Sequence, residues 1–326
     1  MIDPMSRWAS VGEKPDYAGL LTFSALPYTE DPAELADVDA AILCAPMDDL
    51  VSDHPGTRLG PRAIRGASIQ PGAHLQAGLD AFAAVRVVDF GDAPVLPGDA
   101  PRSHTAIEQT VGQVLAAGAI PIILGGDHSI AEPDISACAA KYGPVGLVHF
   151  DTHTDTRSTV FGVSLSHGTP MYRLLKAGHV DPARYVQVGL RGYWPEEEAF
   201  AWQRGLGVTS LFMHEIRERG IADVVHQAID TIGDHPCFLS VDVDVLDPAF
   251  APGTGTPEPG GMTSADLLWA CRTLAAQLRL IGADVVEVIP TGVGSSDITA
   301  LVAARIVHET LTGIAQHKVS ADAARA

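Results

Sequence analysis

Eight short apolar runs, at 40–45, 85–90, 120–124, 145–150, 185–188, 208–212, 237–243 and 283–288, alternate along this chain with longer amphipathic stretches. A run apolar at nearly every position describes a strand covered on both faces. The stretches between carry apolar residues at three- and four-residue spacing, the period of a helix. Helices are expected at 103–118, 129–142, 168–178, 220–233, 264–279 and 296–316, with Thr263 placed to cap the fifth and Ser295 or Ser296 the sixth. This alternation predicts an α/β fold, a three-layer α-β-α arrangement around a mostly parallel sheet. With 326 residues, 46% of them hydrophobic, the chain can fill one large core. No repeat, low-complexity segment or linker divides it. A single domain is therefore expected over 39–318, with a frayed tail at 319–326. The arm at 1–38, irregular and punctuated by Pro4, Pro15, Pro27 and Pro32, either wraps that domain or meets another subunit.

A formal charge of −19 would repel phosphate backbones and anionic membrane surfaces, so neither nucleic acid nor a membrane is an expected partner. Cys44, Cys138, Cys237 and Cys271 are widely spaced in apolar surroundings and form no CxxC pair, which suggests neither a disulfide framework nor a zinc knuckle. No signal-peptide pattern opens the sequence and no run of about 18 apolar residues is apparent, so a cytoplasmic location is the default expectation.

Acids and histidines gather just after three of the expected strands, at the sheet edge where open α/β folds bind ligands. Gly125-Gly126-Asp127-His128-Ser129 follows the third strand, and its glycines are read as a sharp turn that brings His128 to the rim. Asp151-Thr152-His153-Thr154-Asp155 follows the fourth, and in extended backbone its i, i+2 and i+4 side chains would share one face. Asp242 and Asp244, ending the seventh strand, would again share a face, with Asp247 before Pro248 as a turn former. Four carboxylates and two imidazoles converging on one edge would repel each other or demand desolvation unless cations sat among them. The donor set suits two divalent first-row ions of the manganese type, with nickel or cobalt also accepted by the same N/O ligands.

Taken together, the segments at 125–129, 151–155 and 240–261, in that order, resemble the metal-binding signatures of the ureohydrolase (arginase/agmatinase) family. The likeness runs from about residue 40 to 316 and includes the stretches at 55–65 and 298–311, which are closer to agmatinase-type members. The resemblance implies an arginase-like fold and two divalent ions, Mn²⁺ by family expectation. It also implies cleavage of a guanidino compound to urea and an amine by a hydroxide bridging the metals. It implies His128, Asp151, His153, Asp155, Asp242 and Asp244 as ligands, with Asp242 bridging and Asp155 also orienting the hydroxide. His167 would be the loop histidine that passes protons to the leaving amine, and Glu287 the carboxylate that receives the guanidinium. His149, Asp127 and Asp48 would support the ligands. A homo-oligomer, trimer or hexamer, follows from the same likeness.

Two departures bear on the substrate's tail. The segment 291–297 differs from the Pro-, Tyr- and Asp-rich stretch of agmatinases, implying a smaller or differently shaped pocket. Arg157 stands two residues after Asp155; facing the pocket, it would oppose agmatine's second cation and suit an anionic tail such as that of 4-guanidinobutanoate. Agmatine, free guanidine, an alkylguanidine or a biguanide, formiminoglutamate, and a non-catalytic partner subunit stay open as alternatives. A di-metal phosphoesterase would share the ligand inventory but not this order of motifs.

Overall fold

The computed structural model describes the 326 residues except Glu13, Asp16, Gln70, Pro71, 194–196 and Ala326. Eight strands form one sheet: β1 Ala40–Ala45, β2 Val87–Asp92, β3 Ile120–Gly125, β4 Val145–Phe150, β5 Val180–Leu190, β6 Thr209–Phe212, β7 Cys237–Asp242 and β8 Leu280–Val286. Their order is β2-β1-β3-β8-β7-β4-β5-β6, and every neighbouring pair is parallel. The helices are α1 Gly60–Ala67, α2 Ala81–Ala84, α3 Ala100–Ala116, α4 Ala131–Tyr142, α5 Pro170–Ala177, α6 Glu197–Leu206, α7 Met213–Arg219, α8 Ile221–Ile232, α9 Ser264–Gln277 and α10 Ile298–Arg325.

Successive residues of a strand point to opposite faces, and both faces here are apolar. In β1, Ala40, Ile42 and Cys44 belong to one buried cluster, which includes Ile64 of α1, Val224 of α8, Leu267 and Leu274 of α9 and Ile306 of α10. Ala41, Leu43 and Ala45 belong to a second, with Ile107 and Val111 of α3, Ile135 of α4 and Leu174 of α5. The result is the expected α-β-α sandwich, in which each fully buried Leu or Ile contributes about 1.5–3 kcal/mol. All four cysteines are buried single thiols.

The sheet is built outward in two directions. Strands β1 to β3 form one half, β4 to β6 the other, and β7 and β8 return to close the gap between β3 and β4. The carboxyl ends of β3, β8, β7 and β4 thus stand side by side at the change of direction, where an open α/β sheet leaves a crevice.

Element boundaries differ from the sequence reading where packing outweighs local pattern. Strand β2 starts two residues later than expected, and β5 begins at Val180, five residues earlier. Four further helices, α1, α2, α6 and α7, fall in stretches where the sequence reading placed none. Thr263 caps α9 as expected by accepting from the Asp266 N–H. Helix α10 is capped by Asp297, whose carboxylate takes the Ala300 N–H at 3.0 Å, rather than by Ser296; the side chain of Ser295 lies outside the described residues. Instead of fraying after Lys318, α10 runs on to Arg325. By length and composition α10 could cross a membrane, but 78% of its apolar window is buried within the fold, as befits a core helix. It crosses α9 closely at Gly313, where a Cβ would lie 2.4 Å from the Arg272 carbonyl oxygen.

The N-terminal arm packs back on this body. Phe23 and Leu35 are fully buried, the Phe23 N–H donates to the Asp89 carboxylate at 2.8 Å, and Ile2 and Tyr28 exchange backbone hydrogen bonds.

Candidate metal centre

The two glycines before His128 are needed for space, not for a left-handed turn. Neither Gly125 nor Gly126 has a positive φ. A Cβ on Gly126 would lie 2.5 Å from the carbonyl oxygens of both Ala45 and Met47, and one on Gly125 would meet Val286 and Ile130 at 2.6 and 2.7 Å. The β3 exit is pressed against β1 and β8, and only glycine lets His128 follow at that depth. Asp127 caps the turn by accepting from the Ser129 N–H, while its other oxygen accepts from the Leu50 N–H.

The ligand candidates of 151–155 and 242–244 converge, but not by extended alternation. Strand β4 ends at Phe150, and Asp155 sits in left-handed backbone at φ 50°. Strand β7 ends at Asp242, and residues 243–245 form a 3-10 turn in which the Asp242 carboxylate accepts from the Asp244 N–H at 2.8 Å. Left-handed backbone at a non-glycine residue costs energy that the surroundings must hold in place, and such strain gathers at functional sites. Glu287, just past β8, is a second example at φ 63°.

His128 Nδ1 lies 3.1 Å from Asp151 Oδ2, 3.2 Å from Asp155 Oδ2 and 3.2 Å from Asp242 Oδ2. His153 Nδ1 lies 3.4 Å from Asp151 Oδ1 and 3.1 Å from Asp244 Oδ2. Two ligand groups therefore meet at Asp151, one oxygen turned to each. His128 Nδ1 and Asp244 Oδ2 are buried with no hydrogen-bond partner among the described residues. Three carboxylate oxygens gathered around one imidazole nitrogen, with little exposure to water, need protons or cations to offset their charge, and this set of nitrogen and oxygen donors fits a pair of metal ions.

The charges bear this out. Burial, reinforced by Asp151, pushes Asp155 up to about 7, and burial and repulsion from Asp244 and Asp151 hold Asp242 well above the usual carboxylate range. Burial would raise Asp151 too, but contacts with His128, His149 and His153 outweigh it and hold this carboxyl well below that range.

His149 groups spatially with His128, Asp151 and Asp155, yet both its nitrogens are committed. Gln187 Nε2 donates to the Tyr185 hydroxyl, whose own proton faces His149 Nδ1 at 2.9 Å. His149 Nε2–H is thereby left to donate to Asp151 Oδ2 at 2.8 Å, so His149 orients a ligand and is not one. Among the described residues, Asp48 makes no hydrogen bond or ion pair to any of the six. It accepts from the Gly56 N–H and from Arg58, fixing the loop that carries Ser52 and Asp53.

A cavity of about 410 Å³ opens onto the cluster, lined among others by His128, His153, Asp155, His167, Asp242 and Arg157. Among the described residues none of 291–297 lines it, and that segment is instead tied to Asp297 through the Thr291 and Gly292 N–H groups. His167 Nδ1 lies 2.9 Å from Glu287 Oε1, a carboxylate acceptor, which places a proton on Nδ1, and Nε2 meets the Ser52 hydroxyl at 2.7 Å. Burial would lower this imidazole, but the Glu287 carboxylate lifts it to about 9. Glu287 Oε1 also accepts from the His128 N–H at 2.8 Å, while its Oε2 is buried without a partner.

Sequence reasoning missed Tyr185 and Gln187, and also Arg191, which ties down the 244–246 turn by donating to the carbonyls of Asp244 and Leu246 at 2.8 and 3.1 Å. Asp247 is a turn former as read, and it also gathers the Gly260 N–H at 2.7 Å.

Residues 38–313 match the model of the arginase family. A guanidinopropionase of Pseudomonas aeruginosa is 43% identical over 93% of this chain and 94% of its own length. An agmatinase of Chromobacterium violaceum is 39% identical over 93% and 91%. The solved structure of the proclavaminate amidino hydrolase from Streptomyces clavuligerus superposes with a TM-score of 0.87 at 35% identity, covering 93% of this chain and all of that one. The chain belongs to the arginase family, among its agmatinase-like ureohydrolases. It is a hydrolase acting on guanidino compounds.

Proposed function

We propose that this hydrolase cleaves a short guanidino acid, a guanidino group linked by methylenes to a carboxylate, into urea and an amino acid. The observation that carries this is the place of Arg157 on the cavity wall beside Val160 and Phe161, facing the same space as His128 and Asp242. A guanidinium at that position favours an anionic tail and opposes a cationic one. The relative named guanidinopropionase agrees with it.

His128, Asp151, Asp155 and Asp242 would hold one divalent ion, and His153, Asp244, Asp151 and Asp242 the other, Mn²⁺ by expectation and Ni²⁺ or Co²⁺ by the same donors. When bound, such a pair acidifies water and polarises the electrophile. The protein's own part is positioning and proton movement. Glu287 Oε2, lacking a partner, accepts from the planar guanidinium and sets its carbon against the cluster. His167 carries a proton on Nδ1 and lines the cavity, so it can protonate the departing nitrogen. A homo-oligomer, trimer or hexamer, and a cytoplasmic location complete the reading.

Agmatine is the second reading, since Asp53 also lines the cavity and would suit a cationic tail. Arg157→Ala separates the two. The guanidino-acid reading expects kcat/KM for 3-guanidinopropanoate and 4-guanidinobutanoate to fall about 10- to 100-fold, the loss of a charged hydrogen bond, with agmatine turnover unchanged or better. Agmatine as the preferred substrate of the native protein would overturn it.

A further inference from the structure

Beneath the cluster a polar row crosses the middle of the sheet. His149 on β4 pairs in register with Ser240 on β7, and Ser240 with Asp284 on β8. All three are fully buried. Asp284 is three residues before Glu287, on a strand whose remaining residues are apolar or glycine, and a buried carboxylate there needs a reason.

The hydrogen bonds give one. Asp284 Oδ1 accepts from the Val241 N–H at 3.2 Å, so that oxygen carries no proton. Ser240 Oγ, 2.8 Å away, must then donate its single proton to it. With that proton committed, Ser240 Oγ can only accept from His128 Nε2, at 2.9 Å. His128 thus keeps a proton on Nε2, which leaves Nδ1, facing Asp151, Asp155 and Asp242, as the nitrogen able to bind a metal.

We propose that Asp284 is a positioning residue of the metal centre, acting through Ser240 to fix the tautomer and ring orientation of His128. Asp134 of α4 backs it. Both Asp134 oxygens and Asp284 Oδ2 are buried and without partners among the described residues. Burial, then repulsion from Asp284, holds Asp134 well above the usual carboxylate range, as a neutral acid able to leave Asp284 ionised.

This inference rests on the metal-centre reading, and titration of the metal-free full chain with Mn²⁺ tests it without reference to turnover. Native protein is expected to bind in two steps. Asp284→Asn and Ser240→Ala should each weaken one step about 10- to 100-fold, the usual effect of removing a ligand's support. The double variant should be no weaker than Ser240→Ala, because both act through one imidazole. Ser240→Thr, which keeps the hydroxyl, should restore binding, and Asp134→Asn, which keeps a neutral donor, should leave it unchanged. Binding by Asp284→Asn within threefold of native, or losses that add in the double variant, would overturn the proposal. Should Asp284→Asn not fold, equal affinities of the Ser240→Ala and Ser240→Thr variants would overturn it. Native protein that binds no Mn²⁺ would instead remove the metal-centre reading itself.

Discussion

His167 and Glu287 form a pair in which each sets the state of the other. The carboxylate keeps a proton on the imidazole, and the imidazole, with the His128 N–H, occupies one carboxylate oxygen and leaves the second without a partner among the described residues, as the proposed substrate contact requires. Replacing His167 by Asn removes the proton donor while keeping a polar side chain at the cavity wall. Steady-state kinetics should show kcat down by about 10²- to 10⁴-fold, the range for losing a general acid, with KM changed far less. A matching rise in KM at unchanged kcat would assign His167 to binding alone. The six ligand candidates were legible in the sequence because acids and histidines are rarely packed so closely after apolar strands. Their supports were not. Ser240 is an ordinary serine and Asp284 an isolated acid until β7 is placed between β4 and β8, and no local pattern reveals that order.

At the scale of elements, strands were easier to read than helices, since a short run apolar at every position is satisfied only by burial on both faces. Helix α1, opening on Gly60 and Pro61 with Gly66 inside it, has poor intrinsic propensity and is held by tertiary contacts of Ile64 and Ala67. The tight space that the glycines of 125–126 fill went unread for a related reason, as the close approach of β1 is invisible to local pattern. Gly126→Ala should therefore destabilise the protein by about 2–3 kcal/mol, the upper part of the overpacking range, measured by denaturant unfolding. A change under about 0.5 kcal/mol would mean that the Ala45 and Met47 carbonyls can yield. Helix α10 supplies a pH-dependent term through His308, whose Nε2 lies 2.7 Å from Ser24 Oγ against the rings of Phe23 and Phe82. Burial, helped by Arg305, lowers this imidazole to about 3. Since the unfolded histidine binds a proton near pH 6.5 and the folded one does not, the unfolded state holds more protons between about 6.5 and 3, and stability falls as pH falls through that window. From pH 7 to pH 5 the loss is about 2 kcal/mol from this group. His308→Gln should flatten that slope in paired denaturation curves, and an unchanged slope would place the loss elsewhere.

For the whole molecule, fold and site follow from one decision of topology. Because β7 and β8 return to the middle of the sheet, the acids of 151–155 and 242–244, His128 and Glu287 come to neighbouring strand ends, over a core that keeps water from their flanks. The fold class and the class of chemistry were legible from alternation and motif order. The tail specificity was not, because in the proposed reading it depends on where Arg157 and the 160–161 segment stand around the cavity.

The central claim is that these carboxylates and imidazoles, loaded with divalent metal, hydrolyse a guanidino group. It is tested most directly by urea release from agmatine, 3-guanidinopropanoate, 4-guanidinobutanoate, arginine, guanidine and alkylated guanidines, using metal-free protein reloaded with Mn²⁺ or Ni²⁺. Urea from a guanidino acid by the reloaded protein, none from the metal-free protein and none from Asp242→Ala is the result predicted. Full metal loading with no urea from any of these compounds would contradict it.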